Sequence, residues 1–281
     1  MSASHSTIRF ASVLVSFLGL GVVFAPTGCA SQDDEQEAAS GTATSALQAS
    51  SQGGLTDGML DTEGGLAPEP ELAAQTVADR PLRGLHPAGC ATKTREANVI
   101  TLKLDGCSGP FGKVTLRGSL SATFTRAEGD VLHVAIASSD DLTANDRPMT
   151  YAAQADVRYE GAQRFVTWHG ASSGTTKRGK SFERTTDLSI VADVDTKCAT
   201  IDGVSKGSVG QLEVNATIEG FNACKDSCPR GGLARATVRG PRGKEKSLDV
   251  RFDGSDHAKV KGFSGRSFDV VLDCDAAEAA E

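Results

Sequence analysis

From residue 113 onward, side chains alternate between apolar and polar, and this period of two is the feature that most limits the fold. In residues 113–125, KVTLRGSLSATFT, apolar side chains fall on one face of an extended chain and charged or hydroxyl side chains on the other. The same pattern recurs in residues 151–159, 182–192, 211–220, 247–254 and 267–274. Each segment predicts a half-buried β-strand, because successive side chains of a strand point to opposite faces.

Short polar pairs, most of them ending in glycine, separate these segments and predict hairpin turns. They are Asp105-Gly106, Glu128-Gly129, Asn145-Asp146, Glu160-Gly161, Asp202-Gly203 and Asp253-Gly254. No window of this region keeps the 3.6-residue period of an amphipathic helix. The pattern predicts an all-β domain over residues 86–276, an antiparallel sandwich or a partly closed barrel of about ten to twelve strands.

The N-terminus has the composition of an export signal. Residues 1–28 contain one basic residue, Arg9, and no acid, and residues 10–25 form an uncharged run of 16 residues. A membrane-spanning helix needs about 20 apolar residues, so this shorter run predicts a signal peptide over residues 1–28.

Around Gly28-Cys29 the chain resembles a bacterial lipoprotein precursor, in which a small residue precedes a lipidated cysteine. The resemblance implies that Cys29 carries lipid and anchors the protein in the cell envelope, at the outer membrane. Ordinary secretion, with cleavage after Ala30 and a secreted or periplasmic product, is the alternative.

An acidic segment follows Cys29. Residues 29–79 hold ten acidic residues, no lysine or arginine and no aromatic residue. Such a segment cannot bury enough apolar area to offset the entropy of ordering it, so residues 29–85 are expected to form a disordered tether. Residues 80–281 hold 28 basic and 26 acidic residues, which gives no whole-domain argument for nucleic-acid binding. Residues 277–281 form a short tail.

Six cysteines lie in the β-rich region, and in an exported chain an even number predicts disulfides. They are Cys90, Cys107, Cys198, Cys224, Cys228 and Cys274. A Cys90–Cys107 bond would enclose only 16 residues and is the simplest closure. The other four predict Cys198–Cys224 with Cys228–Cys274, and the swap of Cys224 and Cys228 is almost equally compatible.

Catalytic and metal-binding motifs are weak in this sequence. Gly170-Ala171-Ser172-Ser173-Gly174 matches the Gly-x-Ser-x-Gly string of serine hydrolases, but a second strand follows it instead of the required helix, which favours a hairpin turn. No two histidines are close together in the sequence. The acidic loop at residues 139–146 lacks the ligand spacing of a calcium-binding loop. We predict no catalytic residue, no metal ligand and no cofactor.

Two basic clusters remain as candidate binding residues. The first candidate patch consists of Arg230, Arg235, Arg239, Arg242, Lys244 and Lys246, and the second cluster of Lys177, Arg178, Lys180 and Arg184. A flat positive surface suits the phosphate, sulfate or uronic groups of an envelope polymer. The alternative is an edge strand that charge protects against sheet-to-sheet aggregation.

The function predicted from these features is a non-catalytic, lipid-anchored envelope protein with a binding or structural role. Its partners would be the membrane, through the lipid, and an envelope polymer or protein. The turn at Cys107-Ser108-Gly109-Pro110 is similar to that of uncharacterised exported β-proteins, which implies no activity. The alternative is an exported hydrolase whose site is assembled from separate loops, with His133 and His169 among the residues available for catalysis.

Overall fold

The structure, a computed structural model, describes residues 67–79, 85, 87–108, 114–176, 179–224 and 227–272. These contain one helix, α1 (Pro70–Asp79), and fourteen strands. The strands are β1 (Ala91–Glu96), β2 (Val99–Ser108), β3 (Thr115–Ala127), β4 (Val131–Ser138), β5 (Thr143–Ala144), β6 (Arg147–Glu160), β7 (Gln163–Thr175), β8 (Ser181–Asp193), β9 (Cys198–Val209), β10 (Leu212–Cys224), β11 (Arg230–Arg239), β12 (Glu245–Asp253), β13 (His257–Lys261) and β14 (Ser267–Val271).

The strands form one antiparallel sheet in which each strand pairs with the next along the chain. The two-residue strand β5 is the exception, because it pairs with both β3 and β6 while β4 pairs directly with β6. The predicted all-β antiparallel class is confirmed. The described strands number fourteen rather than ten to twelve, because the short β5 and the terminal strands add to the alternating segments.

One face of the sheet is largely buried, and we call it the inner face. In β6 every second residue from Met149 to Tyr159 is buried while the residues between them are exposed, as the alternation predicts. The buried side chains form one hydrophobic cluster that extends from β2 to β14. A single sheet can exclude water from one of its faces only by folding over on itself, so the arrangement is sandwich-like.

Helix α1 corrects the predicted extent of the tether. Ala73 and Ala74 are 0% exposed, and the helix contacts β1, β2 and β3. Lys93 Nζ donates a hydrogen bond of 2.8 Å to the carbonyl oxygen of Val77. Residues 67–79 therefore belong to the folded domain, although their acidic, aromatic-free composition predicted disorder. Residues 29–66 of the predicted tether lie outside the described residues, and no described helix is long and apolar enough to cross a bilayer.

The segments that predicted turns divide into two groups. Glu128-Gly129, Asn145-Asp146, Glu160-Gly161 and Asp253-Gly254 lie at strand ends, as predicted. Asp105-Gly106 instead forms a bulge inside β2, Asp202-Gly203 lies inside β9, and residues 170–174 lie inside β7. A Cβ at Gly203 would lie 2.4 Å from Leu188 Cδ2, so this glycine permits close strand approach and makes no turn.

Two predicted disulfides are confirmed, Cys90–Cys107 and Cys198–Cys224. The second joins directly opposed residues of β9 and β10. Cys228 is also disulfide-bonded. Its predicted partner, Cys274, and the predicted lipidation site, Cys29, lie outside the described residues.

Candidate functional site: the basic end of the sheet

The strand order brings distant turns to the same end of the sheet, because alternate hairpin turns of an antiparallel meander share one end. The turns β7–β8 (176–180), β9–β10 (210–211), β11–β12 (240–244) and β13–β14 (262–266) share such an end. In sequence these four turns hold the basic residues Lys177, Arg178, Lys180, Arg242, Lys244 and Arg266 and no acidic residue. We call this the basic end. Lys177 and Arg178 lie outside the described residues.

The opposite end has the opposite charge, and we call it the acidic end. At that end, the β10–β11 turn with its flanking residue Arg230 holds one acidic and two basic residues in sequence. The turns β6–β7, β8–β9 and β12–β13, with the strand residues that flank them, hold five acidic residues and one basic residue, Lys197. The acidic residues are Glu160, Asp193, Asp195, Asp253 and Asp256. Among these turns, charge is separated along the strand axis, although the β4–β6 connection (139–146), at the same end as the basic turns, holds Asp140, Asp141 and Asp146. The sequence hides this separation, because basic and acidic turns alternate along the chain.

The first candidate patch is not one surface. Arg235 donates hydrogen bonds of 2.7 and 3.1 Å to the two carboxylate oxygens of Asp249 on β12. Arg239 lies 2.9 Å from Glu245 and 3.8 Å from Glu213. These two arginines share the outer face, as predicted, but their charges are already paired.

Edge protection is the wrong explanation for these charges, because β11 is an interior strand. It pairs with β10 on one side and with β12 on the other. The hydrogen bond from Arg235 also holds the pKa of Asp249 below its ordinary value. The two arginines therefore serve as cross-strand partners within the sheet.

The other four residues of the candidate patch have no ion pair or side-chain hydrogen bond within the described part of the chain. Arg230 begins β11 at the acidic end, opposite Asp253. Arg242, Lys244 and Lys246 lie in or next to the β11–β12 turn, at the basic end. The structure thus separates Arg230 from the other three and brings those three to the same end as Lys180.

Arg184 lies half-buried on the inner face of the sheet, which corrects its assignment to one cluster with Lys177, Arg178 and Lys180. It occupies the inner face of β8, opposite Ser172 on β7 and Gly207 on β9. Its Nε donates a hydrogen bond of 2.6 Å to Ser205 Oγ, and burial lowers its pKa to about 10. The sequence carried this signal, because Arg184 is in phase with the buried residues Leu188 and Ile190.

Each of three histidines has an aspartate partner that the sequence does not indicate. The Nδ1 atoms of His133, His169 and His257 lie 2.6 Å from a carboxylate oxygen of Asp156, Asp187 and Asp256, respectively. The first two pairs join directly opposed residues of neighbouring strands, which only the register discloses. An aspartate that orients a histidine is part of many hydrolase sites.

These pairs do not meet the candidate nucleophile. Ser172 lies on the inner face of β7, whereas His169, three residues earlier on the same strand, lies on the exposed outer face. A depression of about 670 Å³ opens where β10 and β11 both bulge, and no histidine lines it. Its wall includes Gly231, Gly232, Arg251 and Lys259.

Within the described ranges, no three His, Cys, Asp or Glu side chains are placed to hold a metal ion. No protein-family model, curated protein or solved structure matches the chain. The charge and geometry of the fold are therefore the basis on which a function can be inferred.

Proposed function

We propose that this chain is an exported, lipid-anchored envelope protein whose β-domain binds an anionic envelope polymer through the basic end, without catalysis. The observation that carries the proposal is the set of four turns that share one end of the sheet and hold six basic residues and no acidic residue. Among the described residues of these turns, Lys180, Arg242, Lys244 and Arg266 have no ion pair. Cations on several turns at one end give a surface that attracts repeated anionic groups.

Disulfides support export, because such bonds persist in oxidising compartments outside the cytosol. The Cys90–Cys107 and Cys198–Cys224 bonds lie at opposite ends of the sheet, and Cys228 is also disulfide-bonded. The lipid anchor itself is inferred from the resemblance of the N-terminus to lipoprotein precursors. Mass spectrometry of the N-terminal peptide tests it: lipid mass on Cys29 is expected, and an unmodified chain beginning at Ser31 would remove the anchor.

The position of α1 is consistent with a basic end that faces away from the membrane. Ala67, just before the helix, lies at the acidic end, where its amide donates to Asp130 Oδ2 at 3.4 Å and its carbonyl accepts from Arg126 at 3.0 Å. A chain that runs back from Ala67 to a lipid on Cys29 therefore leaves the domain opposite the basic end. If flexible, the 38 intervening positions 29–66 would span about 34 Å.

The polar outer face supports a non-catalytic role over the hydrolase alternative. The His133–Asp156 and His169–Asp187 pairs lie on that exposed face, and Ser172 lies on the other side of the sheet. Hydrolases of this type need the nucleophile within hydrogen-bond reach of the base.

Retention on an immobilised sulfated polysaccharide tests the binding proposal. The mature protein is compared with a triple variant that replaces Arg242, Lys244 and Lys246 by glutamine. The matched control replaces Lys197, Arg230 and Arg251, three cations nearer the acidic end, and changes the net charge equally. We expect the basic-end variant to bind about tenfold more weakly, from about 0.5 kcal/mol per lost contact.

The control variant should elute close to the wild type. Equal losses in both variants would show a response to net charge alone and would contradict a localised site. Absence of wild-type retention would contradict polyanion binding altogether.

A further inference from the structure

Arg184 is a charged side chain held in place on the inner face, with no counter-ion among the described residues. Ser205 Oγ accepts its Nε hydrogen bond at 2.6 Å, accepts a second from Thr186 Oγ1 at 3.1 Å, and donates to the carbonyl oxygen of Thr185 at 3.0 Å. These contacts fix the side chain through Nε. Among the described residues, Nη1 and Nη2 have no hydrogen-bond or ion-pair partner.

In the part of the chain that the structure describes, no carboxylate compensates this charge. Burial is the cause that lowers the pKa of Arg184 to about 10, and no acidic group acts in the opposite direction. The guanidinium therefore stays protonated at neutral pH in a partly desolvated place. Keeping an unpaired charge there is costly, and an anionic ligand would remove that cost.

Small residues flank Arg184 on both neighbouring strands. Its directly opposed residues are Ser172 on β7 and Gly207 on β9. A Cβ at Gly207 would lie 2.4 Å from the carbonyl oxygen of Glu183 and 3.2 Å from Arg184 Cα, so only glycine fits there. Neither neighbour places a large side chain over the guanidinium.

The inner face beside Arg184 is apolar but not closed. Val209, Leu212, Val214 and Val238 are half-buried, and the register places Val214 opposite both Gly207 and Val238. Farther along these strands, toward the acidic end, the inner face is fully covered: Ile201 and Phe221 are 0% exposed. The inner face thus opens to solvent toward the basic end, with a cation beside an aliphatic surface.

We propose that this surface binds a long-chain carboxylate, with the head group on Nη1 and Nη2 of Arg184 and the hydrocarbon chain along Val209, Leu212, Val214 and Val238. A guanidinium edge matches the two oxygens of a carboxylate, and the aliphatic side chains suit an acyl chain. A hydrophilic polymer would leave these side chains uncovered. The site lies on the inner face and is independent of the proposed polymer binding by the turns.

Titration calorimetry of the mature protein with dodecanoate, below its micelle concentration, tests the site. Fluorescence of Trp168, the single tryptophan, which lies on the inner face of β7, gives a second readout. We expect dodecanoate to bind, and acetate and dodecyltrimethylammonium not to bind. Arg184→Gln should weaken dodecanoate binding at least tenfold, while Arg251→Gln on the outer face should leave it unchanged.

A second variant keeps the test decisive if Arg184→Gln fails to fold. Val214→Glu places a carboxylate at a half-exposed position two strands from Arg184 and should abolish dodecanoate binding. Undiminished affinity in a folded Arg184 or Val214 variant would overturn the proposal, as would equal binding of the cationic detergent or no binding by the wild type. Both variants should be retained on the polysaccharide as strongly as the wild type is. A failure of the carboxylate site can therefore be distinguished from a failure of the polymer proposal.

Discussion

Arg235 and Asp249 illustrate how one contact changes the interpretation of a charge. The alternation in β11 places Arg235 on the outer face, and the structure confirms that placement. Its partner belongs to β12, fourteen positions later, and only the strand register brings the two side chains within hydrogen-bond distance. Arg235, which the sequence suggests as a ligand-binding residue, is therefore a cross-strand partner that stabilises the sheet.

Replacing Asp249 by asparagine should lower the free energy of unfolding by about 1 kcal/mol at pH 6, a value limited by the partial exposure of the pair. The pKa of Asp249 is lowered in the folded state, so the carboxylate stabilises the fold above its unfolded pKa of about 4. That contribution is lost as the pH falls through the folded value. Thermal melting of both proteins from pH 6 to pH 2 should show the difference shrinking below pH 4.

Asp269→Asn is the control, because Asp269 on β14 has no ion pair among the described residues. Its melting temperature should follow the wild type at every pH. A constant difference between wild type and Asp249→Asn down to pH 2 would contradict the assigned role of the carboxylate.

At the scale of elements, the period-two pattern predicted strands correctly wherever it was long. The inner faces of β3, β6, β8 and β12 consist of the residues that the alternation assigned to them. A glycine in the sequence did not by itself indicate a turn, because turns, bulges and close approaches of strands all favour glycine. Gly203 and Gly207 serve the last purpose in β9, and no local pattern distinguishes that use.

Helix α1 was missed because its burial depends on the sheet. Its sequence, PELAAQTVAD, contains small residues and little apolar surface, so it carries no strong periodic signal. A ten-residue helix is marginal alone and gains its stability from tertiary packing. Ala73 and Ala74 supply that packing without bulk.

A charged residue at position 73 should therefore detach the helix. Ala73→Glu is expected to lower the unfolding free energy by about 2–3 kcal/mol, because Ala73 is fully buried and an unpaired buried charge is costly. Leu72→Glu introduces the same side chain at the adjacent position, which is 52% exposed, and should change stability by less than about 0.5 kcal/mol. Equal urea midpoints for the two variants would show that α1 does not pack as described.

For the whole molecule, the sequence predicted the class of fold and both basic clusters but not their common location. Residues 177–184 and 239–246 are more than 50 positions apart, and only the meander brings their turns to one end. The strand order also places Arg230 at the acidic end, whereas the alternation within β8 already places Arg184 on the inner face. The net charge of the domain did not indicate a binding surface, because a nearly neutral domain can still carry opposite charges at the two ends of its strands.

Hydrogen exchange of the mature protein, with and without a soluble sulfated polysaccharide, tests the proposed binding surface most directly. We predict slower amide exchange in the turns at 176–180 and 240–244 when the polymer is present, because bound polymer shields these amides from solvent. The acidic-end turns at 194–197 and 254–256 should exchange at unchanged rates. Protection of the acidic-end turns, or none at either end when the polymer is bound, would contradict the basic end as the binding surface.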